Sequence, residues 1–245
     1  MNTNDLIYGI HAVQAALEGN ADVIEIWLEE KRHDKRIDPI VQLAKSNHLE
    51  CKRVSQQYLK DTLPDARHQG VVARLKSISV KAESELHHLL DKLNEPAFLL
   101  LLDGVTDPHN LGACIRTAEA AGVHAIVVPK DKSCGMTATV RKVASGAAEI
   151  LPFFQVTNLS RCLKSLQEQG VWIIGTDLAT ETNLYQQDLT GPIAIVMGAE
   201  AKGLRRLTKE NCDSLVKLPM AGTVESLNVS VATGIVLFEA LRQRI

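Results

Sequence analysis

Short apolar runs that alternate with amphipathic segments constrain the fold of this chain most strongly. Four such runs in the carboxyl-terminal half are FLLLLDGV, HAIVVP, VWIIGTDL and IAIVMG, which begin at residues 98, 124, 171 and 193. Parallel strands are buried on both faces, read as nearly continuous apolar runs and need a helix between them. The pattern therefore predicts an α/β fold with a mostly parallel sheet that is covered by helices on both faces.

Residues 1–76 repeat this alternation in shorter units. The segment GIHAVQAALEG fits a helix, and VIEIWL fits a half-buried strand with Ile24, Ile26 and Leu28 on one face. A second helix is expected from Asp38, and further short strand and helix patterns follow it. We expect a small α/β module that could bind a ligand, because nothing in it resembles a catalytic set of residues.

Residues 77–96 differ in character, since small polar residues replace the strand pattern. We interpret them as a linker with a short helix that ends near Pro96, which places a second domain at residues 97–245. His87 and His88 could be offered as metal ligands. Because adjacent residues on a helix point in different directions, a solvated face is the favoured interpretation, and no metal site is expected.

Composition excludes several classes of protein. The longest apolar runs, such as residues 97–102, are far too short to span a bilayer, and the amino terminus lacks the pattern of a secretion signal. The five cysteines are odd in number and include no CxxC pair, which is typical of reduced thiols. We therefore expect a soluble, cytoplasmic protein. A net charge of −2 means that any nucleic-acid binding depends on local patches.

Residues 215–245 carry the strongest indication of a site. They predict a short strand that ends at Met220, a polar loop, and a long helix that is entered at Ser226, a residue type that often caps helices. A loop aimed at a helix N-terminus is a common place for ligands in α/β proteins. The helix is apolar nearly all round, which predicts burial in a large core or against a second copy of the chain.

Two further loops follow predicted strands, at residues 103–122 and 197–203, and ligands collect beyond the carboxyl ends of parallel strands. Taken alone, Asn110 could be a helix cap and Arg116 a surface charge. The second loop, MGAEAKG, could be a plain turn from strand to helix. It lacks the glycine pattern of a dinucleotide site and the lysine-serine or lysine-threonine of a phosphate loop.

Three segments in these loops, DPHNLGACIRTAEAAG, IVMGAEAKGL and LPMAGTVESLNVSVATGIVLFEA, resemble the ordered motifs of the SpoU (TrmH) family of RNA ribose 2′-O-methyltransferases. The segments IYGIHAVQAAL and HQGVVAR resemble the accessory domain of the family's bacterial 23S rRNA guanosine methyltransferases, which is similar to ribosomal protein L30e. In this sequence Ala201 stands where many relatives of the family have glycine.

The resemblance implies an L30e-like RNA substrate-binding domain over residues 1–76 and a SPOUT catalytic domain over residues 97–245 whose last part forms a trefoil knot. Knots are close to absent among folds, so periodicity alone cannot predict one. The implied reaction is methyl transfer from S-adenosylmethionine to the ribose 2′-hydroxyl of a guanosine. The implied substrate is 23S rRNA or its precursor, with the peptidyl-transferase P-loop as the expected target.

The resemblance also assigns residues to this reaction. Those expected to bind S-adenosylmethionine, in a bent form, are Thr176, Met197, Gly198, Leu218, Met220 and Leu227. Those expected to surround the ribose oxygen are Asn110, Arg116, Glu200, Ser226 and Asn228. Arg116 is the implied activator, yet a guanidinium hardly ever loses a proton in a protein. Either it is deprotonated in a special environment, or it stays cationic, holds a phosphate and stabilises the developing alkoxide.

A homodimer formed through the catalytic domain and its last helix is implied as well, with no membrane partner. Basic residues available for RNA are Lys130, Lys132, Arg141, Lys142, Arg205, Arg206, Arg242 and Arg244. One alternative is a non-catalytic RNA-binding or ribosome-assembly protein that keeps the fold, against which the intact polar set argues. Another, a nicotinamide-dependent oxidoreductase, lacks the phosphate-binding glycines.

Overall fold

The structure is a computed structural model that describes residues 5–18, 22–32, 35–64, 66–76, 80–199 and 203–245. Its contacts divide the chain into two compact units, Met1–Ile78 and Ser79–Ile245. Among the described residues, no helix combines the length and the apolar character that crossing a membrane requires. The described residues also contain no cluster of three or more histidine, cysteine or acidic side chains that could hold a metal ion.

The described residues of the first unit form a four-stranded mixed sheet with three helices. Its elements are β1 (Leu6–Tyr8), α1 (Ile10–Glu18), β2 (Val23–Glu29), α2 (Asp38–Ser46), β3 (Cys51–Val54), α3 (Gln56–Thr62) and β4 (Val71–Leu75). The strands lie in the order β1-β4-β2-β3, with β4 antiparallel to both neighbours and β3 parallel to β2. The small α/β module expected from the sequence is confirmed as a fold.

The expected alternation in β2 is wrong at its start. Ile24 is 46% exposed, whereas Ile26, Trp27 and Leu28 are all buried. The register with β4 shifts within the first residues of β2, which turns Ile24 outward. Trp27 packs with Leu59 of α3 on one face while Ile26 and Leu28 pack on the other, so both faces of this strand are covered.

The described residues of the second unit form a seven-stranded sheet in the order β11-β9-β10-β6-β7-β8-β5, and neighbouring strands are parallel throughout. Its elements are β5 (Val80–Ala82), α4 (Glu83–Leu90), β6 (Phe98–Asp103), α5 (Pro108–Ala120), β7 (Ala125–Pro129), α6 (Ala138–Ala144), α7 (Ala147–Ile150), β8 (Phe153–Val156), α8 (Leu159–Glu168), β9 (Trp172–Thr176), a 3₁₀ turn (Leu184–Gln186), β10 (Ile193–Gly198), α9 (Arg206–Glu210), β11 (Ser214–Val216) and α10 (Val229–Arg244). Every residue of the central β6 is buried, as the apolar run predicts for a strand covered on both faces.

The short helix expected within residues 77–96 is confirmed as α4, but the expectation that this stretch contains no strand is wrong. Val80–Ala82 forms an edge strand that pairs with β8, and α4 follows it directly. Leu86 of α4 is fully buried in the same core cluster as Leu99 and Phe154. This apolar contact explains why the segment joins the second unit although its sequence is short of apolar residues.

The last strand ends earlier than expected, and the last helix begins later than expected. The strand β11 ends at Val216 and not at Met220, and α10 is capped by Asn228 and not by Ser226. The Asn228 side chain accepts hydrogen bonds from the backbone N–H groups of Ser230 and Val231. Asparagine caps helices as well as serine does, so residue type alone could not choose between these two positions.

Candidate functional site

The first part of the candidate site is the N-terminus of α5. Asp107 caps this helix by accepting a hydrogen bond from the Asn110 backbone N–H at 3.0 Å, and Pro108 occupies the first helical position. This bond lowers the pKa of the Asp107 carboxyl, which therefore stays ionised as a cap. Because Asp107 fills the capping role, the alternative that Asn110 itself is the cap is wrong.

Asn110 is instead joined to the N-terminus of α10. Asn228 Nδ2 donates a hydrogen bond to Asn110 Oδ1 at 3.0 Å, across 118 residues of sequence. Asn228 Oδ1 accepts from the Ser230 N–H and hydroxyl at 2.9 and 2.6 Å, which fixes the orientation of the amide. Two helix N-termini thus meet at one amide pair, and both present positive dipole ends there.

A cleft of about 540 Å³ lies beyond the carboxyl ends of β6 and β10. Asn110 and Val229 line it from the two helix N-termini, and Ala199 and Gly203 line it from the loop after β10. Ligands of open parallel sheets bind in this position, outside the carboxyl ends of the strands. The cleft is large enough to take a drug-sized or nucleoside-sized group.

Arg116 lies on α5 about two turns beyond Asn110 and is exposed. The neighbouring residues Cys114 and Thr117 lie against α10, where Cys114 Sγ is 3.6 Å from Thr233 Oγ1. Arg116 is thus on the helix that forms the site. Its contact with a substrate stays a prediction.

The other residues expected around the ribose oxygen are distributed as follows. Ser226 is exposed in the irregular segment between β11 and α10, two residues before the cap of that helix. Glu200 and its neighbour Ala201 lie outside the described residues. The structure therefore brings Asn110 and Asn228 into direct contact, and the places of Ser226 and Glu200 beside them stay predictions.

The residues expected to bind S-adenosylmethionine come mainly from one edge of the sheet. Thr176 ends β9, and Met197 and Gly198 end the neighbouring β10. β11 lies on the other side of β9, and Leu218 follows it closely along the chain. Leu218, Met220 and Leu227 are each half-buried, the last two in the segment before α10.

The chemistry of this set fits the expected methyl donor. Half-buried aliphatic and thioether side chains, such as those of Leu218 and Met220, offer apolar contact to a flat base. Thr176 adds a hydroxyl at the carboxyl end of β9, and this hydroxyl donates to the Val196 carbonyl at 3.3 Å. The binding assignment itself stays a prediction.

Gly198 is required by the protein's own backbone. A Cβ at this position would lie 2.2 Å from the Gly203 carbonyl carbon and 2.4 Å from the Leu204 nitrogen. Gly203 folds back onto β10, because its N–H donates to the Ala199 carbonyl at 2.8 Å. Gly198 is among the residues expected to bind S-adenosylmethionine, and the structure adds a reason for glycine that needs no ligand.

Sequence analysis did not single out Asp103, which ends β6 opposite Gly198. Its side chain is fully buried, and its Oδ2 accepts a hydrogen bond from the Arg205 N–H at 2.9 Å. Arg205 Nε lies 3.3 Å from Oδ1. The sequence signal that could have identified Asp103 is its position directly after an apolar run. An acidic residue there is expected to be buried, and a buried carboxylate needs a partner.

Two of the basic residues proposed for RNA, Arg141 and Arg244, are largely withdrawn from solvent. Arg141 is buried and pairs with Glu149 at 2.9 Å. Arg244 is half-buried, which lowers the pKa of its guanidinium, and it donates to the carbonyls of Leu189 and Gly191. Both side chains are held within the second unit, so they are poor candidates for phosphate contacts.

Comparison with known proteins extends this picture. Residues 97–238 match the model of the SpoU rRNA Methylase family, and residues 6–80 match a model described as RNA 2′-O ribose methyltransferase substrate binding. The chain is 56% identical over its full length to a 23S rRNA (guanosine-2′-O-)-methyltransferase RlmB of Shewanella oneidensis, covering 99% of that protein. It is 52% identical to the protein of the same name from Escherichia coli K12, over 98% of this chain and 99% of that one.

Two solved structures are similar as well. The SpoU methyltransferase AviRb from Streptomyces viridochromogenes, in complex with the cofactor AdoMet, is 25% identical with a TM-score of 0.67, and the match covers 98% of this chain and 89% of that one. The TrmH/SpoU tRNA modifying enzyme of A. aeolicus is 32% identical with a TM-score of 0.57, over 66% of this chain and 82% of that one.

We predict that Gly198→Ala lowers the free energy of unfolding by about 1–3 kcal/mol in the absence of any ligand, because the new Cβ would push against the backbone of Gly203. Urea unfolding followed by circular dichroism measures this change. Gly191→Ala is the matched control, since a Cβ there meets nothing within 4 Å. Equal stability of the Gly198→Ala variant and the wild type would contradict this prediction, because it would show that the backbone at Gly203 can move away from residue 198 at no cost.

Proposed function

Because the chain belongs to the SpoU rRNA Methylase family, we propose that it transfers a methyl group from S-adenosylmethionine to the ribose 2′-hydroxyl of a guanosine in 23S rRNA. The observation that carries this proposal is the amide pair of Asn110 and Asn228, which joins the first and third family motifs beside the cleft. Relatives at 52–56% identity over nearly the whole chain carry the name of that activity. The peptidyl-transferase P-loop is the target we propose within the rRNA.

When bound, S-adenosylmethionine supplies a methyl group on a sulfonium, which is already a good leaving group. The protein therefore has to align the ribose oxygen and to stabilise the charge that develops on it. We propose that Asn110 and Asn228 hold the ribose and that the positive dipole ends of α5 and α10 favour a developing alkoxide. We propose Thr176, Met197, Gly198, Leu218, Met220 and Leu227 as the residues that bind the donor.

Of the two roles open to Arg116, we favour the cationic one. Arg116 is exposed, and a guanidinium presents a fork of N–H donors that matches a phosphate. As a cation, Arg116 would hold a substrate phosphate and stabilise the alkoxide, while the hydroxyl proton passes to solvent water. We propose that Glu200 orients Arg116 or a neighbouring amide and that Ser226 fixes the loop and the substrate.

We propose a trefoil knot for the last part of the chain. The Lys217 N–H donates to the Thr182 carbonyl and its carbonyl accepts from the Leu184 N–H, each at 2.9 Å, so the chain runs alongside the segment that follows β9. It then reaches Asn110 at residue 228, and α10 returns to that same segment at its other end, where Gln243 Nε2 donates to the Gln187 carbonyl. A crystal structure in which the chain after residue 217 does not pass through a loop of the backbone would contradict the knot.

We propose that the first unit is an L30e-like domain that binds the RNA substrate. The match of residues 6–80 to a substrate-binding family model supports this role. A cytoplasmic location follows from the proposed rRNA substrate. Deletion of this unit would be expected to weaken binding to the rRNA far more than binding of S-adenosylmethionine, and equal rRNA affinity without it would contradict the proposal.

We also propose a homodimer through α10. Val231 and Phe238 of this helix are 52% and 49% exposed, and the partly buried Ile235 lies between them. These positions are spaced as i, i+4 and i+7, so they form one apolar stripe on the helix surface. An exposed apolar stripe on an otherwise buried helix favours contact with a second copy of the chain.

We predict that Arg116→Ala lowers methyl transfer to 23S rRNA at least a hundredfold, because it removes the cation that stabilises the alkoxide. Transfer of labelled methyl groups to the rRNA measures this change. Binding of S-adenosylmethionine and the circular dichroism spectrum should stay as in the wild type, since Arg116 is exposed on its helix. Near-normal turnover would remove Arg116 from the reaction, and a wild-type protein that binds rRNA without transfer would support the non-catalytic alternative.

We predict that Phe238→Asp converts the dimer to a monomer, because it places a charge in the apolar stripe of α10. Sedimentation velocity at micromolar concentration measures the mass. Ile24→Asp is the control, since Ile24 is a similarly exposed apolar residue in the first unit. A wild type that is already monomeric, or a Phe238→Asp variant that still dimerises, would contradict this interface.

A further inference from the structure

The cleft has a second set of polar groups besides Asn110 of the amide pair. Lys132 and Arg205 line the same cleft as Asn110 and come from the loops after β7 and before α9. Lys132 is exposed, and the Arg205 side chain is 42% exposed. Two cations that reach solvent in one cleft can both donate to a single anion.

Arg205 is held in place by a buried carboxylate. The Asp103 side chain is fully buried, with its Oδ2 bonded to the Arg205 backbone N–H and its Oδ1 at 3.3 Å from Arg205 Nε. Oδ1 accepts no hydrogen bond from the described residues, so its remaining compensation is this ionic contact. A buried carboxylate on the Nε side leaves the terminal nitrogens of the guanidinium for another acceptor.

Gly104 lies next to the Arg205 guanidinium. It has a φ of +88°, which favours glycine, and a Cβ there would lie 3.5 Å from Arg205 Nη2. Gly104 itself lines the cleft. The terminal nitrogen Nη2 of Arg205 is thus located at the cleft wall.

Lys132 is also built into this wall. It adopts a left-handed backbone conformation with φ of 58°, which is uncommon for a residue with a side chain. The loop that holds it is tied to the β6–α5 connection, because the Cys134 N–H donates to the Val105 carbonyl at 2.8 Å. The Ser133 hydroxyl donates to the same carbonyl at 3.4 Å. The two cations therefore stand on parts of the fold that are hydrogen-bonded in place.

We propose that Arg205, oriented by Asp103, and Lys132 bind the backbone phosphate that adjoins the methylated ribose. This inference rests on the proposed function, which places that ribose at Asn110. The group next to any ribose in an RNA strand is a phosphate, and arginine binds phosphate through two parallel hydrogen bonds. Asp103 is a positioning residue in this account, since it acts through Arg205.

The first test measures how RNA binding depends on salt. Arg205→Gln should weaken binding of an RNA that contains the target roughly tenfold and reduce the slope of log K against log salt by about 0.7, the value for one contact to a single strand. The affinity for S-adenosylmethionine should not change. Lys164→Gln is the control, because it removes an exposed charge on α8 outside the cleft lining. Arg205→Lys should recover part of the affinity, since it restores the charge without the fork.

The decisive test places single methylphosphonates in a short RNA around the target nucleotide. The wild type should lose affinity most strongly at one linkage beside the target ribose. Arg205→Gln should lose clearly less affinity at that linkage, because only the Lys132 contact remains there. Asp103→Asn should also respond less than the wild type to the methylphosphonate at that linkage, although by a smaller margin than Arg205→Gln. A thermal melt confirms that this variant is folded. An Arg205→Gln variant with the wild-type salt slope and the wild-type response at every linkage would overturn the inference.

The two proposals fail in different ways. Methyl transfer by the wild type to unmodified RNA tests the proposed reaction, whereas the methylphosphonate series measures binding alone. Transfer without an effect of Arg205→Gln would leave the reaction standing and remove the phosphate site. If Arg205→Gln changes binding at one linkage but the wild type transfers no methyl group, the phosphate site stands and the proposed reaction is removed.

Discussion

The candidate site depends on one constraint, which is that neighbouring strands of the seven-stranded sheet are parallel. Parallel strands end at the same edge, so the loops after β6, β9, β10 and β11 meet there although they are far apart in sequence. Helices that follow such strands begin at that edge and direct their N-termini toward it. The contact between Asn110 and Asn228 is the direct result, because it joins the starts of α5 and α10 across 118 residues.

The position of α10 is fixed at both of its ends. At its start, Asn228 caps the helix and bonds to Asn110. At its end, Arg244 donates to the carbonyls of Leu189 and Gly191 while its guanidinium lies 4.7 Å from the Phe98 ring centre. Hydrogen bonds from a charged group contribute about 1.5–3 kcal/mol each, so this end is firmly held. A helix anchored in this way can hold the amide pair in a constant place before any substrate arrives.

The sequence predicts the sheet well and its irregular parts poorly. Long apolar runs such as the one that begins at Phe98 reveal strands buried on both faces, and these predictions are confirmed. Strand β5 was missed because it has three residues, lies at the edge of the sheet and has an exposed Val80. The shift in β2 that exposes Ile24 depends on pairing with β4, which no local pattern records. Tertiary pairing decides such positions.

The candidate site could be predicted only in part for a similar reason. The polar residues of the loops were identified from their motifs, but serine and asparagine are both good caps, so the choice of Asn228 over Ser226 depends on the fold. The pair of Asp103 and Arg205 joins residues that are 102 positions apart, and sequence patterns describe only near neighbours. The reason for glycine at 198 likewise lies in the return of the chain at Gly203, which becomes visible only in three dimensions.

The most direct test of this account is a double-mutant cycle on the amide pair, with methyl transfer to rRNA as the readout. Asn228→Ser keeps a capping side chain and removes the amide donor, and Asn110→Ala removes the acceptor. We expect each single variant to lower the rate constant about a hundredfold and the double variant to be no slower than the worse of the two, because the residues act as one unit. Effects that multiply, or single variants with wild-type rates, would contradict a site built on this contact.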